Sequence, residues 1–255
     1  MPPRESNEER RKRAGKILGK LGKEFPHAGT ALDHRSPFEL LVATILSAQC
    51  TDERVNKVTP SLFPRFSEPS DLAHADRGEL EELIRSTGFY RNKARSIQGA
   101  SLKITDDFGG RVPETMDELL SLPGVARKTA NVVMGNGFGK AAGVVVDTHV
   151  FRLSHRMGFS KGKNPVQVEN DLIGLFPKKD WVKVGNRLIL HGRTTCIARK
   201  PKCDACAVET ACPRIGVETT STKPTTMTKS AGPPGLHKGS GPRRSLRDRI
   251  QNGRR

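Results

Sequence analysis

Between the amphipathic run ETMDELLSL and the apolar run ANVVM stands Leu122-Pro123-Gly124-Val125-Ala126-Arg127-Lys128-Thr129-Ala130. Pro123 stops a helix arriving from the N-terminal side, because its ring disfavours helical geometry in the residue before it. Gly124 opens the left-handed region of backbone space and permits a tight turn. The stretch therefore reads as helix, hairpin, helix over about residues 115–135. The amides of the turn and of the second helix's first turn lack intrahelical partners. They stand at the positive end of a helix dipole and form a phosphate-sized anion site. Lys128 falls in that first turn, where a cation is electrostatically disfavoured. A lysine set against the dipole needs a chemical reason.

A phosphate-binding turn suits the charge of the chain. Its 255 residues carry 44 Lys and Arg against 27 Asp and Glu, net +17, and nucleic acid is the usual polyanionic partner. Apolar runs such as LLVATIL are too short to span a bilayer, and MPPRESNEERRKR contains no signal-peptide apolar segment. The expectation is an intracellular, reducing environment with no membrane partner, in which cysteines serve as ligands rather than disulfides.

Helical spacing dominates the rest of the sequence. From Ala14, apolar residues recur at Ile17, Leu18, Leu21 and Phe25 on a segment rich in Arg and Lys, which Pro26 ends. Ser36-Pro37-Phe38-Glu39 combines a Ser cap, Pro at the first helical position and Glu three residues after the cap. The LLVATIL that follows is apolar all round and predicts a buried helix ending in the polar patch Ser47-Ala48-Gln49-Cys50-Thr51-Asp52. Residues 75–104 give two helical runs around Thr87-Gly88-Phe89-Tyr90, a turn whose aromatics are expected to fold back on the core. Val144, Val145 and Val146 predict a short extended buried segment, and Asp147 caps a helix to about Met157 with Gly158 as its stop. Asn164-Pro165 starts another helix, closed by Pro177, and a last one containing Trp181 runs to Gly192. His149 either lines a groove or satisfies a hydrogen bond within the core, the second being the simpler expectation. No alternating strand pattern of any length occurs, so the fold class is all-α. Residues 217–255 hold nine Lys and Arg against two acids, net +7, with almost no apolar residues. This segment predicts a disordered basic tail.

Cys196, Cys203, Cys206 and Cys212 are separated by six, two and five residues. Four thiolates in so short a loop imply one metal centre. Zinc favours two short-spaced ligand pairs, and only one C-x2-C is present. The wider body of an iron–sulfur cluster fits the spacing better, with structural zinc as the alternative. Arg199, Lys200 and Lys202, between the first two cysteines, would form a basic prong for phosphates on such a centre. Cys50 stands apart and reads as a small buried hydrophobe.

Taken together, SPFELLVATILSAQCTD, LPGVARKTANVV, VDTHVFR and LILHGRTTCIARKPKCDACAVETAC resemble, in order and spacing, the endonuclease III group of the helix-hairpin-helix DNA glycosylases. The similarity covers about residues 14–214. It implies two helical domains flanking a DNA-binding groove. One would be a six-helix domain over about 30–140 that ends in the hairpin; the other would join 1–29 to 141–216 around a [4Fe–4S] cluster loop. It further implies base excision repair: removal of oxidised pyrimidines from duplex DNA, then strand cleavage at the abasic site by β-elimination. The expected protein is a monomer, bacterial, cytoplasmic and nucleoid-associated.

By the same resemblance Lys128 is the nucleophile and Asp147 its carboxylate partner, and the four cysteines ligate the cluster. Gln49 fills the gap left by the extruded base, and Phe89 wedges into the stack from an opposing loop, which reverses the plain reading of that aromatic. Gly124 and Ala126 lie where hairpin amides hold a phosphate. The helix N-terminus and desolvation are expected to lower the pKa of the Lys128 amine. The sequence departs from the family at Ala126, where a second hairpin glycine is usual and positive φ would be strained, and at Cys50 and Thr194. Two alternatives remain. A monofunctional adenine mismatch glycosylase would lack the hairpin lysine and carry a folded C-terminal domain, against Lys128 and the 43 residues that follow Cys212. A non-catalytic DNA-binding protein would use zinc as scaffold.

Overall fold

Helix α1 (Asn7–Glu24) begins well before its first buried residue, Ala14. Ser6 and Glu9 form a reciprocal cap: Ser6 Oγ accepts from Glu9 N at 3.2 Å, and Glu9 Oε2 accepts from Ser6 N at 2.8 Å. Apolar periodicity, which places the start at Ala14, does not register this charged opening turn. The computed structural model describes residues 5–217; the segment 217–255, expected to be a basic tail, lies outside them apart from Val217.

Helix α2 (Pro37–Leu46) buries every residue from Phe38 onward, as its unbroken apolar run requires. Ser36 caps it through Glu39 N, but the Glu39 carboxylate accepts from Arg35 N at 2.6 Å rather than from the cap residue. Helices α3 (Asp52–Leu62), α4 (Pro69–Ala73) and α5 (Arg77–Ile84) follow, then the single turn Arg85–Thr87 and the long α6 (Tyr90–Phe108). Helices α7 (Met116–Leu120) and α8 (Arg127–Val132) flank the hairpin, and α8 continues as a π-turn over Val133–Gly137. Together these elements enclose a first hydrophobic core running from Leu32 to Met134.

A second core forms from helices α9 (Thr148–Arg156), α10 (Pro165–Leu175) and α11 (Trp181–Thr194), with Ala14, Ile17, Leu18 and Leu21 of α1 inserted among them. The three larger side chains of α1 each gain about 1.5–3 kcal/mol on burial, enough to dock a helix whose other faces are charged. The chain therefore leaves α1, completes the first core and comes back to α1 to close the second. Among the described residues no strand occurs, and no helix is long and apolar enough to cross a membrane.

Polar ties join the two cores. The buried Glu169 carboxylate on α10 accepts from Arg127 Nε at 2.9 Å and Nη2 at 3.2 Å, and from Asn131 Nδ2 at 2.9 Å, both on α8. Gly143 makes room for that carboxylate, since a Cβ there would sit 2.1 Å from Glu169 Oε1. Asn186 on α11 donates to Asn136 Oδ1 in the π-turn at 2.9 Å.

Candidate active site

Gly124 adopts φ 77°, and a Cβ on it would meet Ser96 Cβ at 2.5 Å, so both conformation and space require glycine. Ala126 does not share that constraint. Its φ of −92° and ψ of 168° are ordinary extended backbone, and it is the N-cap of α8. The strain expected from alanine at this position is absent, because the left-handed geometry is confined to Gly124. Alanine offers no side-chain acceptor to the helix, so the opening amides of α8 keep their donors free for an incoming anion.

Lys128 occupies the second position of α8 and is exposed. The protein by itself does not bury this amine; any desolvation has to come from bound DNA. Asp147 caps α9, accepting from Val150 N at 2.8 Å, and lines the same cleft as Lys128. Two hollows share Lys128, Asp147 and Arg193: one is lined also by His149, Phe151 and Asn164, the other by Ser47, Asp52 and Asn136. His149 edges the cleft and is also hydrogen-bonded within the fold. Its Nδ1 lies 3.2 Å from Arg152 Nη2. Across the cleft Arg193, in the last turn of α11, donates to Asp52 Oδ2 at 2.7 Å, joining the second core to the start of α3. Sequence reading passed over Arg193, Asn136 and Glu169, whose partners stand far away along the chain.

Gln49 and Phe89 occupy two separate loops. Both take left-handed backbone angles rare for side chains of their size, φ 53° and 48°, and both are exposed, Phe89 by 63%. Phe89 does not fold back on the core as the plain reading of its turn expects; Tyr90 does, packing against the first core.

The cysteines form a separate centre. Cys196, Cys203, Cys206 and Cys212 line one cavity together with His191 and Val208. Burial pushes the Cys206 thiol up to about 11 and raises Cys212 as well, partly offset by the Val208 and Arg214 amides aimed at the two sulfurs. Burial also drives His191 down to about 4, so the imidazole 3.5 Å from Cys206 Sγ stays neutral. Arg156 on α9 donates to Cys196 Sγ at 3.4 Å and to the carbonyls of Ile197 and Ala198 at 2.8 Å, and Arg152 donates to Cys196 O at 2.9 Å. Among the described residues no three His, Cys, Asp or Glu side chains converge closely enough for a single metal ion. Arg199, Lys200 and Lys202 are exposed on this loop, apart from the cleft.

Comparison with known proteins agrees with this geometry. Residues 42–178 match the family described as HhH-GPD superfamily base excision DNA repair protein. The endonuclease III of Synechocystis sp. is 56% identical over 204 residues, covering 80% of this chain and 93% of that protein. That of Escherichia coli K12 is 43% identical over 196 residues, covering 77% and 92%. A solved structure of a trapped endonuclease III–DNA covalent intermediate, an estranged-adenine complex, superposes with a TM-score of 0.75 at 44% identity, covering 80% of this chain and 96% of that one. The hairpin, Lys128 and Asp147 fall within the matched residues 42–178, and the chain belongs to the endonuclease III family of helix-hairpin-helix base excision DNA repair proteins.

Proposed function

We propose that this chain is a bifunctional DNA glycosylase and AP lyase of base excision repair, with Lys128 as nucleophile and Asp147 as its carboxylate partner. The observation that carries the reading is one cleft shared by two groups: an exposed lysine in the uncapped first turn of α8 and a carboxylate at the N-cap of α9. The substrate is duplex DNA bearing an oxidised pyrimidine or an abasic site, and the expected working form is a monomer at the bacterial nucleoid.

The neutral Lys128 amine attacks C1′ of the extruded nucleotide; an N–C bond forms, and the damaged base departs with the electrons of the glycosidic bond and a proton. The sugar ring opens to a protonated imine. Removal of a C2′ proton then expels the 3′ phosphate with the C3′–O electrons, and water hydrolyses the imine to return the amine. Asp147 stabilises positive charge developing on the sugar and takes the proton that the nucleophile must lose. Its bond to Val150 N fixes the carboxylate for both tasks.

The nucleotide has to leave the stack first, at a cost of a few kcal/mol. Gln49 fills the gap and Phe89 wedges from its own loop; exposure and outward-presented backbone suit both. The amides around Gly124 and Ala126 hold a phosphate and fix the register. Cys196, Cys203, Cys206 and Cys212 hold a [4Fe–4S] cluster. Four thiols lining one cavity, only one C-x2-C among them, and an arginine donating to Cys196 Sγ support that donor set over structural zinc. The bound cluster supplies a rigid cross-link and keeps the thiolates charged, so Arg199, Lys200 and Lys202 stand out as a basic prong.

Borohydride trapping tests the reading. Duplexes with an oxidised pyrimidine or an abasic site should give a covalent adduct that Lys128→Ala abolishes. If neither substrate gives an adduct, the bifunctional mechanism is wrong.

A further inference from the structure

Lys93 is 5% exposed, and its ammonium is buried without a carboxylate facing it among the described residues. The cost of burying a cation in this way lowers its pKa, and only the Cys50 thiol opposes the shift. A methionine would fill the same space without that penalty, so the charge needs an account of its own. Its hydrogen bonds supply one. Nζ donates to Leu46 O at 2.7 Å and to Thr87 O at 2.8 Å.

These carbonyls are at the roots of two different loops. Leu46 ends α2, three residues before Gln49, and Thr87 ends the single turn before Phe89, two residues away. Both are helix-terminal carbonyls, which lack an intrahelical donor and carry the negative end of a dipole, so a cation is the natural group to join them. The backbone of Lys93 completes the arrangement, since its N–H donates to Phe89 O at 3.1 Å. One residue therefore touches the frames of the only two exposed non-glycine residues of the first core that have left-handed backbone, among those described.

We propose that Lys93 is a positioning residue for base extrusion. Its ammonium clamps the Gln49 and Phe89 loops to each other and holds both in the strained form that presents the side chains to the duplex before DNA arrives. Lys93 touches neither DNA nor the reacting atoms. The inference rests on the reading of Gln49 and Phe89 as gap filler and wedge. Strained backbone persists only where its surroundings over-determine it, and the paired carbonyl bonds are such surroundings.

The test compares trapping on two DNAs, a duplex with an oxidised pyrimidine and a single strand with an abasic site, where no stack has to open. In the full chain, Lys93→Met should slow duplex trapping by about tenfold to a hundredfold, the loss typical of groups displaced by about an ångström. Single-strand trapping should stay within about twofold, since the Lys128 chemistry is untouched. Lys93→Gln, which retains a donor for one of the two carbonyls, should fall between wild type and Met and serves if the Met variant does not fold. In the Gln49→Ala/Phe89→Ala background, removing the ammonium should have no further effect on the duplex. Equal losses on both DNAs, an unaffected duplex, or an undiminished loss in the double-variant background would each overturn the clamp. If Gln49→Ala/Phe89→Ala alone leaves duplex trapping unchanged, the gap-filling reading fails and takes the clamp with it. If that variant slows trapping while Lys93→Met does not, the clamp alone fails.

Discussion

The hairpin before Lys128 takes its shape from its own backbone, whereas the cysteine loop borrows its shape from its neighbours. In the hairpin, one glycine at φ 77°, packed on Ser96, fixes the turn, and the helix that follows begins in ordinary geometry. In the loop, residues 196–212 contain only two single 3-10 turns, and their carbonyls are gripped by Arg152 and Arg156 from α9. Local backbone chemistry makes the first region robust to what surrounds it. The second depends on its arginines and on what the thiols bind. Helix α9 serves both, carrying at its N-cap Asp147, which shares the cleft with Lys128, and the loop's arginines further along.

Breaking the loop should have the largest effect. Cys206→Ala removes one of the four proposed cluster ligands, a half-buried thiol, and we expect loss of bound iron and a stability decrease on the order of 4–5 kcal/mol or more. Iron analysis and thermal denaturation of the purified protein check this; an iron-replete, equally stable variant would mean that the loop holds itself. Asp147→Asn should be large in activity and small in stability. Asparagine keeps the cap on Val150 N but not the charge, so single-turnover cleavage should fall about 10²–10⁴-fold with an almost unchanged melting temperature. Turnover like that of the wild type would remove Asp147 from the chemistry.

The two hairpin positions sharpen the contrast further. Gly124→Ala places a Cβ in a left-handed residue and against Ser96, and should destabilise by about 1–3 kcal/mol in a thermal melt. Ala126→Gly should shift stability by only a few tenths of a kcal/mol, since its backbone is extended and glycine is an acceptable N-cap. A large effect at Ala126 would show that the turn is fixed by more than its one glycine.

What the sequence made legible follows the same division. Caps at Ser36, Asp147 and Asn164 were readable because a cap and the amide it serves stand three residues apart. The all-helical class was readable from periodicity, and the hairpin from Pro123-Gly124. Apolar periodicity does not reveal the start of α1, although Ser6 and Glu9 spell a capping box, because residues 7–13 are all polar or charged. Phe89 read as core from its own turn and as wedge only through the family resemblance; its exposure depends on a backbone angle that residue type alone does not dictate. Arg193, Asn136 and Glu169 gave no signal because their partners stand 42 to 141 residues away along the chain. The same is true of Lys93, whose acceptors include a carbonyl 47 residues away.

The return of the chain to α1 also sets an order of assembly. During synthesis α1 is among the first segments to emerge, but the partners of its apolar stripe, beginning at Val144, follow only after the whole first core has been made. Domains tend to fold as they emerge, so the first core can close while α1 waits with Ile17, Leu18 and Leu21 uncovered. The charged faces of α1 then act as a solubilising escort for an unpaired helix. Closing the second core is the step of longer sequence separation, and it is also the step that brings Asp147 into the cleft beside Lys128. The cleft that Lys128 shares with Asp147 and Arg193 is therefore complete only once α11 has docked.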